Sequence, residues 1–273
     1  MKPAAFDHLS PESPAAAAAM LSEGTRILAG GQSLGPMLNL RLARPERLAG
    51  LSALAQLRDI REERGRIILG AGVTHARIED GDSPVALPPM LRHVARGIAY
   101  RAVRNRGTVG GSLAHADPAA DWVTALTAMG AEVVLLSGSG AERRVALPGF
   151  VRGAYRTALG PQEIISAVEI PAAMRDALWG YHKLCRKVGE FADAIGAIAV
   201  HPASGHLRLV AGATGGAPLV LSGLGDGIAR SGAHPGPAAL RSALAAALPG
   251  ADRVKLQLLA TALDRAIAKV IPA

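Results

Sequence analysis

Two rhythms of apolar and polar positions run along the chain. A helical rhythm opens it over residues 15–24, with Ser13 as N-cap, Pro14 at the first helical position and Gly24 as the stop. The short apolar run Thr25–Leu28 predicts a strand, and the segment 37–43 behind Pro36 predicts a second helix. After Pro45 and the leucine-rich stretch 48–57, a strand is expected over 66–71, ending at Gly72. The Pro-rich break 83–89 opens a helix with Met90, Val94 and Ile98 on one face and Arg92 and Arg96 on another, continuing over 101–107. Asp117-Pro118 pairs a capping carboxylate with a proline set for a first turn, which predicts a helix from there to Met129, stopped at Gly130. Trp122, Leu126 and Met129 share its apolar face.

Beyond it the period shortens to two. Segments 132–136, 143–147 and 163–170 are β-branched or alternating and separated by Gly and Pro turns, which predicts an antiparallel sheet with the helices on one face, an α+β arrangement. Pro171-Ala-Ala173 marks a boundary. A strand over 178–186 follows, with Tyr181, Lys183 and Cys185 on one face, then a helix over 193–200, a strand over 206–213, and a loose Gly-rich segment ending near Pro237. Two helices finish the chain; the last, over 253–271, carries Leu256, Leu259, Leu263, Ile267 and Val270 as a stripe. The expected division is 1–171, in lobes of about 1–55 and 56–171, and 172–273.

Composition narrows the function. The 273 residues, 49% hydrophobic, suffice for a substantial core, and no apolar run reaches the roughly 18 residues of a membrane span. Residues 1–7 carry both charges and the alanine run 15–19 is short, so no leader is expected and a cytoplasmic address is. The single cysteine, Cys185, excludes an internal disulfide and an iron–sulfur or thiolate zinc site carried by this chain alone. The net charge of +8 comes mostly from scattered arginines, of which only Arg101, Arg104 and Arg106 cluster. With two Trp, three Tyr and three Phe there is no basic-aromatic strip for nucleic acid, and a solvated face or an acidic protein partner is the better match.

The candidate chemistry lies in two glycine segments. Ala29-Gly-Gly-Gln-Ser-Leu34 sits between a strand and a helix start, where Gly30 and Gly31 allow positive φ and close backbone approach, and Ser33 adds a hydroxyl. Such a turn can aim N–H groups at a diphosphate, although alone it also describes an ordinary tight turn. The second segment, Asn105-Arg-Gly-Thr-Val-Gly-Gly-Ser112, runs into His115-Ala-Asp-Pro-Ala-Ala-Asp121. Two glycine turns around one ligand is the resulting expectation.

AGGQSLGPMLNLRLA, RNRGTVGGSLAHADPAADW and YHKLCRKVGEFADA, in this order, with GATGGAPLVL further on, closely resemble the flavoprotein medium subunit of the xanthine dehydrogenase and carbon monoxide dehydrogenase family of molybdenum hydroxylases. The resemblance spans nearly the whole chain. It implies a two-lobed FAD-binding fold of the vanillyl-alcohol oxidase and p-cresol methylhydroxylase type, followed by a small α+β C-terminal domain. It further implies non-covalent FAD with its diphosphate between Ala29, Gly30, Gly31, Gln32, Ser33 and Leu34 on one side and Thr108, Val109, Gly110, Gly111 and Ser112 on the other. Asp121 matches a cofactor-contacting aspartate, while its place in a first helical turn also suits the helix dipole. Asp117 is expected as a cap and His115 as a packed residue. Leu159 and Lys183 match positions near the cofactor in some relatives, although a strand lysine is often simply exposed. Phe191 stands where relatives carry an aromatic residue over the flavin ring, and Glu190 replaces their usual Asp. Cys185 is expected to be a spectator.

The implied role is electron exit. Substrate is oxidised at a molybdenum cofactor in a large subunit, electrons pass through [2Fe-2S] clusters in a small subunit, and FAD here reduces an external acceptor, in a dimer of heterotrimers. The rival readings are a free-standing FAD-dependent reductase on the same fold and a flavin-free scaffold subunit. The glycine segments carry the further expectation that Gly31→Val or Gly110→Val removes flavin while the fold survives.

Overall fold

The computed structural model describes residues 2–271. Strand β1 (Asp7–Leu9), helix α1 (Pro14–Ala19), strand β2 (Thr25–Leu28), helix α2 (Leu34–Asn39) and strand β3 (Arg47–Gly50) form a first lobe. Its strands lie parallel in the order β1-β3-β2, so each connection must cross over, and the short helices do so. Ser13 caps α1, its Oγ accepting from the Ala16 N–H at 3.1 Å. The helix ends at Ala19 and not at Gly24, because Gly24 (φ 81°) is needed beyond it as a turn whose carbonyl accepts from the N–H groups of Glu46 and Arg47 at the start of β3. The second helix likewise spans 34–39 and not 37–43. Pro36 falls in its first turn, where no N–H is required, and Arg41 at φ 58° reverses the chain soon after.

The second lobe contains β4 (Ile60–Glu63), β5 (Arg66–Gly70), α3 (His75–Asp80), α4 (Pro89–Arg96), α5 (Arg101–Arg104), α6 (Val109–His115), α7 (Asp121–Ala128), β6 (Glu132–Ser137), β7 (Glu142–Ala146), α8 (Leu147–Phe150), β8 (Val151–Gly153), β9 (Arg156–Thr157) and β10 (Glu163–Pro171). The expected antiparallel sheet is present, in the order β4-β5-β10-β6-β7. Ile67, Leu69, Val133, Leu135, Val168 and Ile170 from its strands bury against Met90, Val94, Leu113, Trp122 and Leu126 from the helices. Ala17 and Ala18 of α1 pack with Ile164 of β10, joining the lobes.

Three expectations in this lobe change. Helices α4 and α5 are separate, because Gly97 ends one and Ala99, at φ 43°, turns the chain before the other. The second glycine segment is the first turn of α6 and not a loop: the Thr108 Oγ1 accepts from the Gly111 N–H at 3.1 Å, and this cap together with the burial of Val109 and Leu113 offsets the poor helix propensity of two glycines. Asp117 does cap, but it caps the turn before α7, accepting from the Ala119 N–H at 2.9 Å, so the helix proper begins at Asp121.

The C-terminal part contains β11 (Leu178–Leu184), β12 (Ala194–His201), β13 (His206–Gly212), β14 (Leu219–Val220), α9 (Ser222–Ser231), α10 (Gly236–Ala247) and α11 (Arg253–Ile267). Its sheet is antiparallel in chain order. Residues 194–201 are a strand where a helix was expected. Ile195 and Ile198 mimic helical spacing, but α11 covers one face of this strand and α7 packs on the other, and strands buried on both sides read as continuous apolar runs. Within the Gly-rich segment, α9 forms in spite of three glycines because Leu224 and Ile228 pack into the C-terminal core. The stripe on α11 holds for Leu259, Leu263 and Ile267, which are fully buried, whereas Leu256 is half-buried and the helix ends at Ile267, leaving half-buried Val270 in the turn beyond it and not on the helix as expected.

Glycines set how closely α11 approaches this sheet. A Cβ on Gly180 would overlap the Ala266 carbonyl, and one on Gly196 the Ala262 carbonyl. Gly180→Ala should therefore cost about 1–3 kcal/mol by overpacking, read as a lower urea midpoint at unchanged m-value.

Candidate functional site

The two glycine segments touch through their backbones. A Cβ on Gly30 would overlap the Arg106 carbonyl and lie 2.8 Å from the Gly107 Cα, and one on Gly111 would come within 3.4 Å of the Ala29 Cβ. Of the pair Gly30 and Gly31, only Gly31 takes positive φ, at 72°. That bend lets the Gly31 carbonyl accept from the Gly35 N–H at 2.8 Å, while the Gln32 amide folds back onto the Gly30 carbonyl at 3.1 Å.

Among the described residues, the N–H groups of Gly30, Gly31, Gln32, Ser33 and Leu34 have no acceptor. They form a run of donors at a half-exposed surface, beside the free hydroxyl of Ser33. The second segment differs from the expectation that both segments donate. Val109 N–H bonds the Val73 carbonyl at 3.0 Å, Gly110 N–H the Ala71 carbonyl at 2.9 Å and Ser112 N–H the Thr108 carbonyl at 3.0 Å, and Gly111 N–H goes to the Thr108 cap. This wall is a rigid, glycine-thin face whose remaining donors are the Thr108 N–H and the hydroxyls of Thr108 and half-buried Ser112. An anionic diphosphate fits this pair of surfaces: one supplies N–H groups and the other the room that a side chain would take.

Two further predicted residues are bonded to each other at the seam with the C-terminal sheet. Asp121, at the start of α7, accepts from the Tyr181 hydroxyl at 2.6 Å through Oδ1 and from Lys183 Nζ at 3.1 Å through Oδ2. Lys183 also donates to the Gly97 carbonyl at 3.0 Å and keeps only 9% of its side chain exposed, so it is not an exposed strand lysine. Burial pushes the Asp121 carboxyl above its usual range, with Lys183 pulling it back, and pushes the Tyr181 phenol up, helped by the neighbouring carboxylate.

His115 packs on Tyr155, ring centroids 5.2 Å apart, and the Tyr155 hydroxyl donates to Asp117 at 3.2 Å. Leu159 is half-buried against the main core. Phe191 is 64% exposed in the segment between β11 and β12, and Cys185 is half-buried at the start of that segment. Two contributors escape sequence reasoning. His75 is buried and accepts from the Trp122 indole N–H at 3.0 Å through Nδ1, and its backbone N–H bonds the Gly107 carbonyl at 2.9 Å. Trp122 was the available signal, since a buried indole needs an acceptor. Tyr181 was visible only as a strand residue on the same face as Lys183.

A glycine-lined contact between two lobes, with free N–H groups on one side, is a surface suited to an anionic dinucleotide. Residues 4–173 match the family described as the FAD binding domain in molybdopterin dehydrogenase, and the chain belongs to that family. It is 37% identical to the carbon monoxide dehydrogenase medium chain of Hydrogenophaga pseudoflava, over 71% of this chain and 68% of that one. It is 32% identical to the caffeine dehydrogenase subunit beta of Pseudomonas sp. (strain CBB1), over 73% and 69%. The structure of carbon monoxide dehydrogenase from H. pseudoflava lacking the Mo-pyranopterin moiety superposes with a TM-score of 0.87 at 31% identity, covering 99% of this chain and 98% of that one. The chain is thus an FAD-binding medium subunit of the molybdenum hydroxylase type, an oxidoreductase component with the expected α+β fold.

Two predictions follow from this geometry. A Cβ on Gly110 would overlap that of Ala71 and lie 2.8 Å from its carbonyl oxygen, so the clash is internal and Gly110→Val strains the fold as well as any ligand site. Gly110→Val should cost the flavin-free chain up to about 3 kcal/mol, and Gly31→Val, whose Cβ meets only the Leu28 side chain but whose φ of 72° strains a β-branched residue, should lose FAD at a stability cost of about 1–2 kcal/mol; thermal unfolding beside flavin extraction checks both. His75 is held to a pKa of about 4 by burial, then by Arg104. The unfolded chain takes up this proton below about pH 6.5 and the folded chain only below about 4, so stability is intact above that window and falls as pH drops through it. The loss is about 3 kcal/mol over the whole window, and His75→Gln should lose that much less stability between about pH 6.5 and 4.

Proposed function

We propose that this chain binds FAD with its diphosphate between Ala29–Leu34 and Thr108–Ser112, and is the electron-exit subunit of a heteromeric molybdenum hydroxylase. The observation that carries this reading is the run of unspent N–H groups from Gly30 to Leu34, lying against a wall thinned by Gly110 and Gly111. FAD, when bound, accepts electrons singly and delivers them in pairs to an external acceptor. The chain's own residues bind and orient it. Ser33 and Ser112 add hydroxyls at the diphosphate, Lys183 and Asp121 are fixed by their mutual bond, and Leu159 and Phe191 serve the ring side.

The sole cysteine leaves this chain without thiolates for a cluster, and no group of three or more His, Cys, Asp or Glu that could hold a metal occurs among the described residues. Electrons therefore arrive from partners: an iron–sulfur small subunit, itself supplied by a molybdenum-bearing large subunit, in a dimer of heterotrimers. The relatives' names, a medium chain and a subunit beta, support a multi-subunit assembly. No helix among the described residues is long and apolar enough to cross a membrane.

Purification with native partners, followed by a visible spectrum, flavin extraction and metal analysis, tests the proposal. The expected result is releasable FAD on this chain, with molybdenum and iron in co-purifying chains. An intact complex without flavin would overturn it.

A further inference from the structure

Arg104 ends α5, immediately before the second glycine segment. Its Nε donates to Glu79 Oε2 at 2.7 Å and its Nη2 to Oε1 at 3.2 Å, while Nη1 donates to the carbonyls of Ile98 at 2.9 Å and Ala99 at 2.8 Å. Only 12% of the side chain is exposed. These bonds grip the inner side of the turn 97–99, where Ala99 takes φ 43°, a conformation that a residue with a Cβ holds only under constraint.

The outer side of the same turn receives the C-terminal part. The Gly97 carbonyl accepts from Lys183, Ile98 bridges to Gly189, and a Cβ on Gly189 would lie 2.9 Å from the Ala99 oxygen. The segment around Gly189 is otherwise held at its C-terminal end, where Ala192 joins the main core and the Asp193 N–H donates to the Leu184 carbonyl at 2.8 Å, and by the Glu190 N–H on the Lys187 carbonyl at 3.1 Å. Arg186, Lys187, Val188 and Phe191 are exposed, and the Arg186–Glu190 ion pair, at 3.8 Å in solvent, is worth little.

We propose that Arg104, neutralised by Glu79, is a positioning residue: it holds the turn 97–99 in the shape that seats Lys183 and the segment 186–191, and so fixes where Phe191 stands. The consequence for Phe191 rests on the flavin site proposed above; the hold on the segment does not. The sequence showed Arg104 only as one of three clustered arginines, whereas the fold turns this one inward to serve two structural parts at once.

The test is limited trypsin digestion of the full chain, with and without FAD, with first-cut fragments identified by mass. Arg104→Gln should raise the cleavage rate after Arg186 and Lys187 at least about tenfold, the effect of losing one charged hydrogen bond on a local opening. Cleavage after Arg241 and Arg253, in and beside the C-terminal helices, should not change. Glu79→Gln, which spares the bonds to the two carbonyls, should raise the same two cuts less. In the FAD-loaded chain, Arg104→Gln should change flavin fluorescence in the direction that Phe191→Ala does, and the double variant should add nothing. Unchanged cleavage at 186 and 187 in both variants overturns the proposal. So does an equal rise at 241 and 253 in both, which would show general loosening. Wild-type chain that binds no FAD would sink the flavin reading, while the digestion still decides the clamp.

Discussion

The approach of Gly30 to the Arg106 carbonyl is the constraint on which the site depends. It is a contact between backbones, so no side chain can be exchanged to adjust it, and it fixes the spacing of the two lobes at the point where a ligand would lie. The hydrogen-bond accounting on its two sides is unequal. Val109, Gly110, Gly111 and Ser112 spend their N–H groups within the protein, which makes that side stiff, whereas Gly30 to Leu34 spend none. Backbone donors left this way must find water or a ligand. A site built so offers donors from one lobe and shape from the other, and a cofactor bound there would itself bond the two.

Helix α7 carries this constraint into the rest of the molecule. Through Trp122 it bonds His75, whose own N–H holds the Gly107 carbonyl beside the glycine contact. Through Asp121 it receives Tyr181 and Lys183 of β11. Thr124 lies so close to β13 that Gly212 must lack a side chain. The Asp121–Lys183 pair is costly to bury, and removing either partner would strand the other charge, a loss of about 3–5 kcal/mol. Such a pair resists separation of the C-terminal part from the second lobe more than it adds stability. His75 stays neutral for the same reason that the pair is costly: water is excluded.

Where local chemistry decides structure, the sequence was a good guide. Ser13 caps its helix, and the alternating segments around residues 132, 143 and 163 pair as an antiparallel sheet. It misled where tertiary burial overrides local preference: residues 194–201 are a strand because helices cover both faces, and α9 forms across glycines because its apolar side is packed. The glycine segments were legible as motifs, but which of them donates was not, since that depends on the acceptors at Ala71 and Val73. The arginine cluster was opaque for a similar reason. Glu79 and Asp80, which engage Arg101 and Arg104, lie on a different helix.

Strand β11 shows how the packing of the C-terminal part and the placement of a site residue become one requirement. Its alternate residues face opposite ways. Trp179 meets His93 of α4, with ring centroids 5.1 Å apart, and Tyr181 and Lys183 reach Asp121, whereas Gly180 lies under α11 and His182 meets Arg265 of that helix. A slip of one residue would exchange the two sets, placing Tyr181 against the Ala266 carbonyl and leaving Asp121 facing His182 and Leu184. The register is therefore held from both faces: only Gly180 tolerates the closeness of α11, and only Lys183 and Tyr181 satisfy the buried carboxylate. Lys183 is delivered to the seam by the same parity that lets the last helix close on the sheet.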